Sequence, residues 1–153
     1  QKLLNSTNKE TLLVYGYSDV VLRSLRLAKE RSLPIEVIVA DSANPSRGNE
    51  LVLELDQLGI PVSYCLLSAT TYVLSSRGVT KVLLGAVALQ SDGSVTGQAG
   101  TAMVALAAAD KNIPVLVACE TYKISNRLPL ESLSRFATRN ETVLRPSFSS
   151  HGV

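Results

Sequence analysis

The chain has 153 residues, 46% of them hydrophobic and 18% charged, with 15 basic side chains against 13 acidic ones and a formal net charge of +2. That length suits one domain with one sizeable core, and the apolar share argues against disorder. So small a net charge supplies no long-range field for nucleic acid or a membrane surface, and no apolar run approaches the roughly 20 residues of a membrane span. The two cysteines, Cys65 and Cys119, have no Cys or His nearby, which argues against a disulfide framework or a zinc site. Free thiols of this kind fit a reducing, cytoplasmic compartment. The single histidine, His151, lies in a polar tail. The chain begins at Gln1 with no visible signal peptide and reads as a fragment or processed product.

Residues 1–10 are polar and read as a lead-in. TLLVYG (11–16), an apolar run closed by glycine, predicts a buried strand. Ser18 stands where it can cap the next helix, with Asp19 in the first turn. Val21, Leu22, Leu25 and Ala28 form that helix's inner face, and Arg23, Arg26, Lys29 and Glu30 point outward. IEVIVA (35–40) is the second strand and ends at Asp41. A helix follows with Leu51, Val52, Leu55 and Leu58 on one face, stopped by Gly59 with Pro61 beyond. VSYCLL (62–67) is the third strand, and Ser68 reads as the cap of a short helix, ATTYVLSS. KVLLGA (81–86) is the fourth strand. In VALQSDGSVT, Asp92-Gly93 signals a tight turn and a small hairpin. An alanine-rich helix over roughly 101–111 follows Gly97 and Gly100, with side chains small enough for close packing on a sheet, and IPVLVA (113–118) is the fifth strand.

Strands alternating with helices every 20 to 30 residues are the signature of βαβ units. The predicted class is α/β: a doubly wound, mostly parallel Rossmann-like sheet over 11–123 with a small β-hairpin insertion, then an irregular segment and tail over 124–153.

Ligands of open parallel sheets bind outside the carboxyl ends of the strands. Those ends and the neighbouring loops bring forward Ser18, Asp41, Arg47, Gln98, Gly100, Thr101 and Lys123 as a candidate anion or ligand crevice. Gly16 is not part of a G-x-G-x-x-G loop, so a dinucleotide site is not supported. Asp41 stands where a ribose-binding acid would, or it caps the approach to the following helix. The loop TGQAGT (96–101) can hold an anion on N–H groups at a helix start. Small residues serve close helix–sheet packing equally, and that reading is favoured. Cys119 has no histidine to activate it. The expectation is no cofactor, no metal and no enzyme: the strand ends are poor in groups that move protons.

The runs VLLGAVALQSDGSVTGQAGT (82–101) and IPVLVACETYK (113–123), with LLVYGYSDVV (12–21) and VIVADSANPSRGNEL (37–51), resemble one family. It joins sugar-phosphate aldose–ketose isomerases to the regulatory subunits of eukaryotic translation initiation factor 2B, and the CETYK ending looks most like the delta type. The isomerases of that family are understood to use a cysteine after the first strand and an aspartate in a Gly-Ala-Asp stretch. They hold substrate with an arginine in Glu-Ser-Arg-Pro and an Asn-Lys pair before Ile-Gly-Thr. Here those positions are Gly16, Val87, Ala43 and Gly97-Gln98. Valine and glycine neither give nor accept a proton, and a phosphate ester has lost one cation. The resemblance therefore implies no isomerase activity. It implies a non-catalytic regulatory subunit of the cytoplasmic guanine-nucleotide exchange factor, assembled with beta-like and other subunits and sensing the phosphorylated alpha subunit of the initiation factor two GTPase. In isolation it allows a homodimer. Val87, Leu89 and Val95 of the hairpin, with Glu120 and Tyr122, are the candidate interface, or else they pack within the domain, since core and obligate interface share a composition. Two alternatives remain: an isomerase with relocated groups, for which only Cys119, Glu120 and Asp41 are available, and a domain that senses a sugar phosphate or nucleotide without turnover.

Overall fold

Strands with apolar side chains on both faces need a sheet covered on both sides. The computed structural model of the chain, which describes residues 9–42 and 47–125, has that arrangement. Its strands are β1 (Glu10–Tyr15), β2 (Ile35–Asp41), β3 (Val62–Leu66), β4 (Lys81–Gly85), β5 (Ala88–Gln90), β6 (Val95–Thr96), β7 (Val115–Ala118) and β8 (Ile124–Ser125). The helices are α1 (Asp19–Glu30), α2 (Gly48–Gln57), α3 (Thr70–Ser76) and α4 (Thr101–Asp110). Five strands form one parallel sheet in the order β3-β2-β1-β4-β7. The chain moves outward from β1 to β3, then returns to lay β4 on the other side of β1. Right-handed crossovers put the helices of the two halves on opposite faces.

The alternation along β1 and β2 shows the two layers directly. Leu12, Val14, Val37 and Val39 pack with Val21, Leu22 and Leu25 of α1 and Leu51 and Leu55 of α2. Leu13, Tyr15, Ile38 and Ala40 pack with Val73 and Leu74 of α3 and Val104 and Ala108 of α4. At the amino ends of the strands the buried Glu10 carboxylate accepts hydrogen bonds from Lys81 Nζ at 2.7 Å and from the Thr80 hydroxyl. This pair ties β1 to β4 at the end opposite the ligand-binding side.

Three local readings change. The fifth strand starts at Val115, not Ile113. Pro114 has no N–H to donate, and its carbonyl accepts from Val82 N–H at 2.9 Å. Ser68 caps nothing: it lies inside a 3-10 turn, Leu67–Ala69, that runs straight into α3. Ser18 is at the N-cap position of α1 but makes no capping hydrogen bond. Its hydroxyl sits against Gly85, where any Cβ would overlap it.

The hairpin is present as antiparallel β5 and β6, pairing Leu89 with Val95. Gly93 has φ +84°, and Asp92 Oδ1 accepts from the Ser94 N–H and hydroxyl. β8 then adds in parallel to β5 and completes a small second sheet, β6-β5-β8. Ordered structure thus continues two residues beyond Lys123, into the stretch read as irregular. A two-residue strand has no periodicity to read. The lead-in 1–8, Ala43–Ser46 and the tail 126–153 with His151 lie outside the described residues.

Two core substitutions test this architecture by denaturant unfolding. Leu13→Ala, at a fully buried site, should cost about 2–5 kcal/mol through lost transfer energy and a cavity. Lys81→Met, which removes the ammonium paired with the buried Glu10, should be destabilising by about 3 kcal/mol.

Candidate functional site

A crevice of about 150 Å³ opens at the carboxyl ends of β1 and β4. This is the point where the strand order reverses and where such sheets bind ligands. Its walls are Tyr15, Tyr17, Ser18 and Asp19 after β1, Arg47 before α2, Gly85, Ala86 and Val87 after β4, and Gln98 and Lys123. Of the residues brought forward from the sequence, Ser18, Arg47, Gln98 and Lys123 meet here, and Asp41, Gly100 and Thr101 do not line it.

Asp41 is turned the other way. It is 3% exposed, its Oδ1 accepts from the Ser42 N–H at 2.8 Å and its Oδ2 from the Gly48 N–H at 2.7 Å. It therefore secures the entry to α2, and the carboxylate stands where a Cβ on Gly48 would be. Gly100 is left-handed, with φ +99°, and a Cβ on it would overlap the Tyr15 ring and hydroxyl. That hydroxyl donates to the Ala99 carbonyl at 2.5 Å. The loop TGQAGT is thus wrapped over Tyr15, and its small residues serve packing. Thr101 packs against Gly97 in the same turn. Tyr15 was missed from the sequence, although it is the one aromatic in the first strand. Burial pushes its hydroxyl pKa up, and the Asp41 charge adds to this.

Gly16 has φ +63°, and a Cβ there would fall on the Gln98 carboxamide. Gln98 Nε2 donates to the Tyr15 carbonyl at 3.2 Å. The space a side chain at 16 would fill is occupied by Gln98, so glycine at 16 and glutamine at 98 belong together.

Both cations of the crevice wall are paired with neighbouring carboxylates. Arg47 lies 2.8 Å from Glu50 and stacks 4.2 Å from the Tyr17 ring centroid. The Tyr17 hydroxyl donates to Glu54 at 2.9 Å, which pushes its pKa up. Lys123 lies 2.8 Å from Glu120 and donates to the Ala86 carbonyl at 3.2 Å. The pairing lowers the Glu120 pKa and raises that of Lys123. The wall itself carries Arg47, Lys123 and Asp19, and each of its two cations already has a carboxylate beside it, Glu50 or Glu120.

Proton-transfer groups are few among the described residues. Cys119 is half-buried, with its thiol 3.5 Å from the Glu120 carbonyl. Cys65 is in β3, where burial pushes its thiol pKa up. No group of His, Cys, Asp and Glu among the described residues gathers as a metal site, and no helix there is long and apolar enough to cross a membrane.

The candidate interface residues surround the small second sheet. Leu89 sits centrally on β5, opposite Val95 and Ile124. Val87, Val95 and Tyr122 are exposed, while Leu89 and Glu120 are half-buried. Ile124, exposed as well, joins them.

The family model described as the initiation factor 2 subunit family matches residues 1–147. The chain belongs to that family. Its relatives include the translation initiation factor eIF2B subunit delta of Dictyostelium discoideum, 34% identical over 124 residues, covering 81% of this chain and 20% of that protein. The ribose 1,5-bisphosphate isomerase of Pyrococcus furiosus is 28% identical over 137 residues, covering 90% of this chain and 42% of that one. Among solved structures, the tetrameric eIF2B-beta2-delta2 complex from C. thermophilum matches with TM-score 0.74 at 30% identity, over 80% of this chain and 39% of that chain. The chain spans less than half the length of each of these relatives. The family thus supplies both a translation-factor branch and an isomerase branch, and the doubly wound fold with its hairpin is that of its solved members.

Two measurements probe the site. Gly16→Cys should destabilise the fold by about 1–3 kcal/mol, through left-handed strain and overlap with Gln98. Adding Gln98→Ala should recover the overlap part and leave the strain, giving a non-additive double-mutant cycle in thermal melts. The depressed Glu120 pKa contributes stability above the ordinary carboxylate value of about 4.3, and this is lost as pH falls through the folded value. Melting curves of Glu120→Gln should therefore fall less steeply than wild type below about pH 4.3.

Proposed function

We propose that this chain is the Rossmann-like part of a delta-type regulatory subunit of the initiation factor eIF2B, working by assembly and not by turnover. The observation that carries this reading is the crevice. The space beside Gly16, where a reactive side chain would stand, is filled by the Gln98 carboxamide. Val87 stands where the isomerase branch keeps its aspartate. Shifting a proton between two sugar carbons needs an acid and a base placed on opposite tasks. Gly16 and Val87 can be neither, and Arg47 and Lys123 are each paired with a carboxylate.

The delta-type branch fits what is left. The C. thermophilum relative is solved as a beta–delta tetramer, and in this reading a beta-type subunit meets the small sheet of β5, β6 and β8. Val87, Val95, Tyr122 and Ile124 are exposed there. The resemblance adds the rest of the role: membership of the larger exchange factor and sensing of the phosphorylated GTPase alpha subunit.

Co-expression with a beta-type subunit of the same family tests the reading. The chain should co-purify with it, and Val95→Asp should reduce capture at least about 10-fold, as expected for a charge placed in an apolar contact. Ribose 1,5-bisphosphate should not be converted, and neither it nor inorganic phosphate should raise the melting temperature, because only a ligand that binds the folded state does so. Turnover abolished by a crevice substitution such as Lys123→Ala would overturn the proposal.

A further inference from the structure

Asp92-Gly93 is the single Asp-Gly step in the chain, which contains no Asn-Gly. It lies at the tip of the β5–β6 hairpin, where residues 91–95 are all exposed. Nothing stands within 4 Å of the position a Cβ on Gly93 would take, so no neighbour packs over the glycine. Hydrogen bonds hold the tip instead. The Gly93 N–H donates to the Gln90 carbonyl at 3.0 Å, and the Gln90 N–H to the Ser94 carbonyl at 2.9 Å. Asp92 Oδ1 accepts from the Ser94 N–H at 2.9 Å and from the Ser94 hydroxyl at 2.7 Å. The carboxylate is therefore held by the residue beyond Gly93, while the Gly93 N–H is committed to Gln90. The Ser94 bonds also hold the Asp92 carboxyl below its usual pKa range, and an ionised carboxylate gives up an oxygen far less readily than the protonated acid does.

We infer that Asp92-Gly93 is a latent site of backbone isomerisation, and that Ser94 holds it closed. In the reaction Gly93 N bonds to Asp92 Cγ and loses its proton. One carboxyl oxygen leaves with that proton and the acid's own as water, and a five-membered imide remains. Water then opens the ring. Attack at Cγ restores aspartate. Attack at the main-chain carbonyl leaves Gly93 joined through Cγ, an isoaspartate. The water lost is returned, and no other reactant enters. Glycine suits the attacking position because no side chain obstructs the close approach. An isoaspartate adds one carbon to the main chain at the turn. The Gln90–Gly93 and Gln90–Ser94 bonds span that link, and turn geometry sets the register of a hairpin. The pairing of Leu89 with Val95, and with it the small sheet, would be loosened. Ser94 thus guards the hairpin against a slow, irreversible change of its own backbone.

Incubation at body temperature and neutral pH for several weeks tests this, with isoaspartate assigned to position 92 by peptide mapping. A synthetic peptide of residues 88–97 should accumulate it steadily. The folded chain should do so at least about 10-fold more slowly, because the closed turn must first lose charge-assisted hydrogen bonds. Ser94→Ala should accelerate the folded chain about 5-fold or more, the change in open population that losing one such bond brings. Ser94→Thr, which keeps the hydroxyl, should match wild type. Ser94→Val, the same shape without the hydroxyl, should match Ser94→Ala and serves if that variant does not fold. Asp92→Glu, which lengthens the ring to be closed, should abolish the signal. A peptide that forms no isoaspartate, a folded chain as fast as the peptide, or Ser94→Val no faster than Ser94→Thr would overturn the inference. So would a signal that survives Asp92→Glu. Every rate is read on the chain alone, so failure of beta-type capture sinks the proposed function and leaves this inference standing.

Discussion

The structure depends on the double-sided burial of β1. From Leu12 to Tyr15 every side chain is buried, and consecutive residues point to opposite faces. Neither set can be satisfied by one layer of helices. The chain must therefore lay α1 and α2 on one face and bring α3 and α4 round to the other, which forces the reversal of strand order beside β1. The crevice is a by-product of that reversal. Loops leaving β1 and β4 diverge to opposite faces and leave a gap between them.

That constraint explains why the fold could be read from residue types alone. Runs such as TLLVYG and IEVIVA are continuous and not alternating, as strands covered on both faces must be. Val21, Leu22, Leu25 and Ala28 mark an amphipathic helix, and all four are buried. The features that stayed hidden depend on contacts far apart in sequence. β8 exists because Ile124 finds Leu89, 35 positions earlier. Asp41 could be a ligand-binding acid or an anchor for α2, and only the position of the Gly48 N–H separates the two. α4 was legible as a helix, but its outer face was not legible as exposed, because a uniformly apolar helix has no periodicity to report which side faces out.

The crevice was legible in part. Four of its residues came from strand-end bookkeeping, and the loss of reactive groups followed from the resemblance. What sequence could not supply was the pairing of its cations. Arg47 and Lys123 read as candidate anion-binding cations, and each is held by a carboxylate three positions away. The Tyr15 hydroxyl, 84 positions from the carbonyl it bonds, was equally out of reach.

The pairing of Gly16 with Gln98 has a consequence for how this site can change over time. A reactive side chain cannot be tried at 16 while Gln98 holds its place, because it enters occupied space and a left-handed backbone. Shortening Gln98 first would forfeit its bond to the Tyr15 carbonyl and open a hole with no new chemistry to justify it. Each single step is worse than the start. The two positions act as a latch: packing alone opposes a reactive side chain at 16, whether or not selection does so as well.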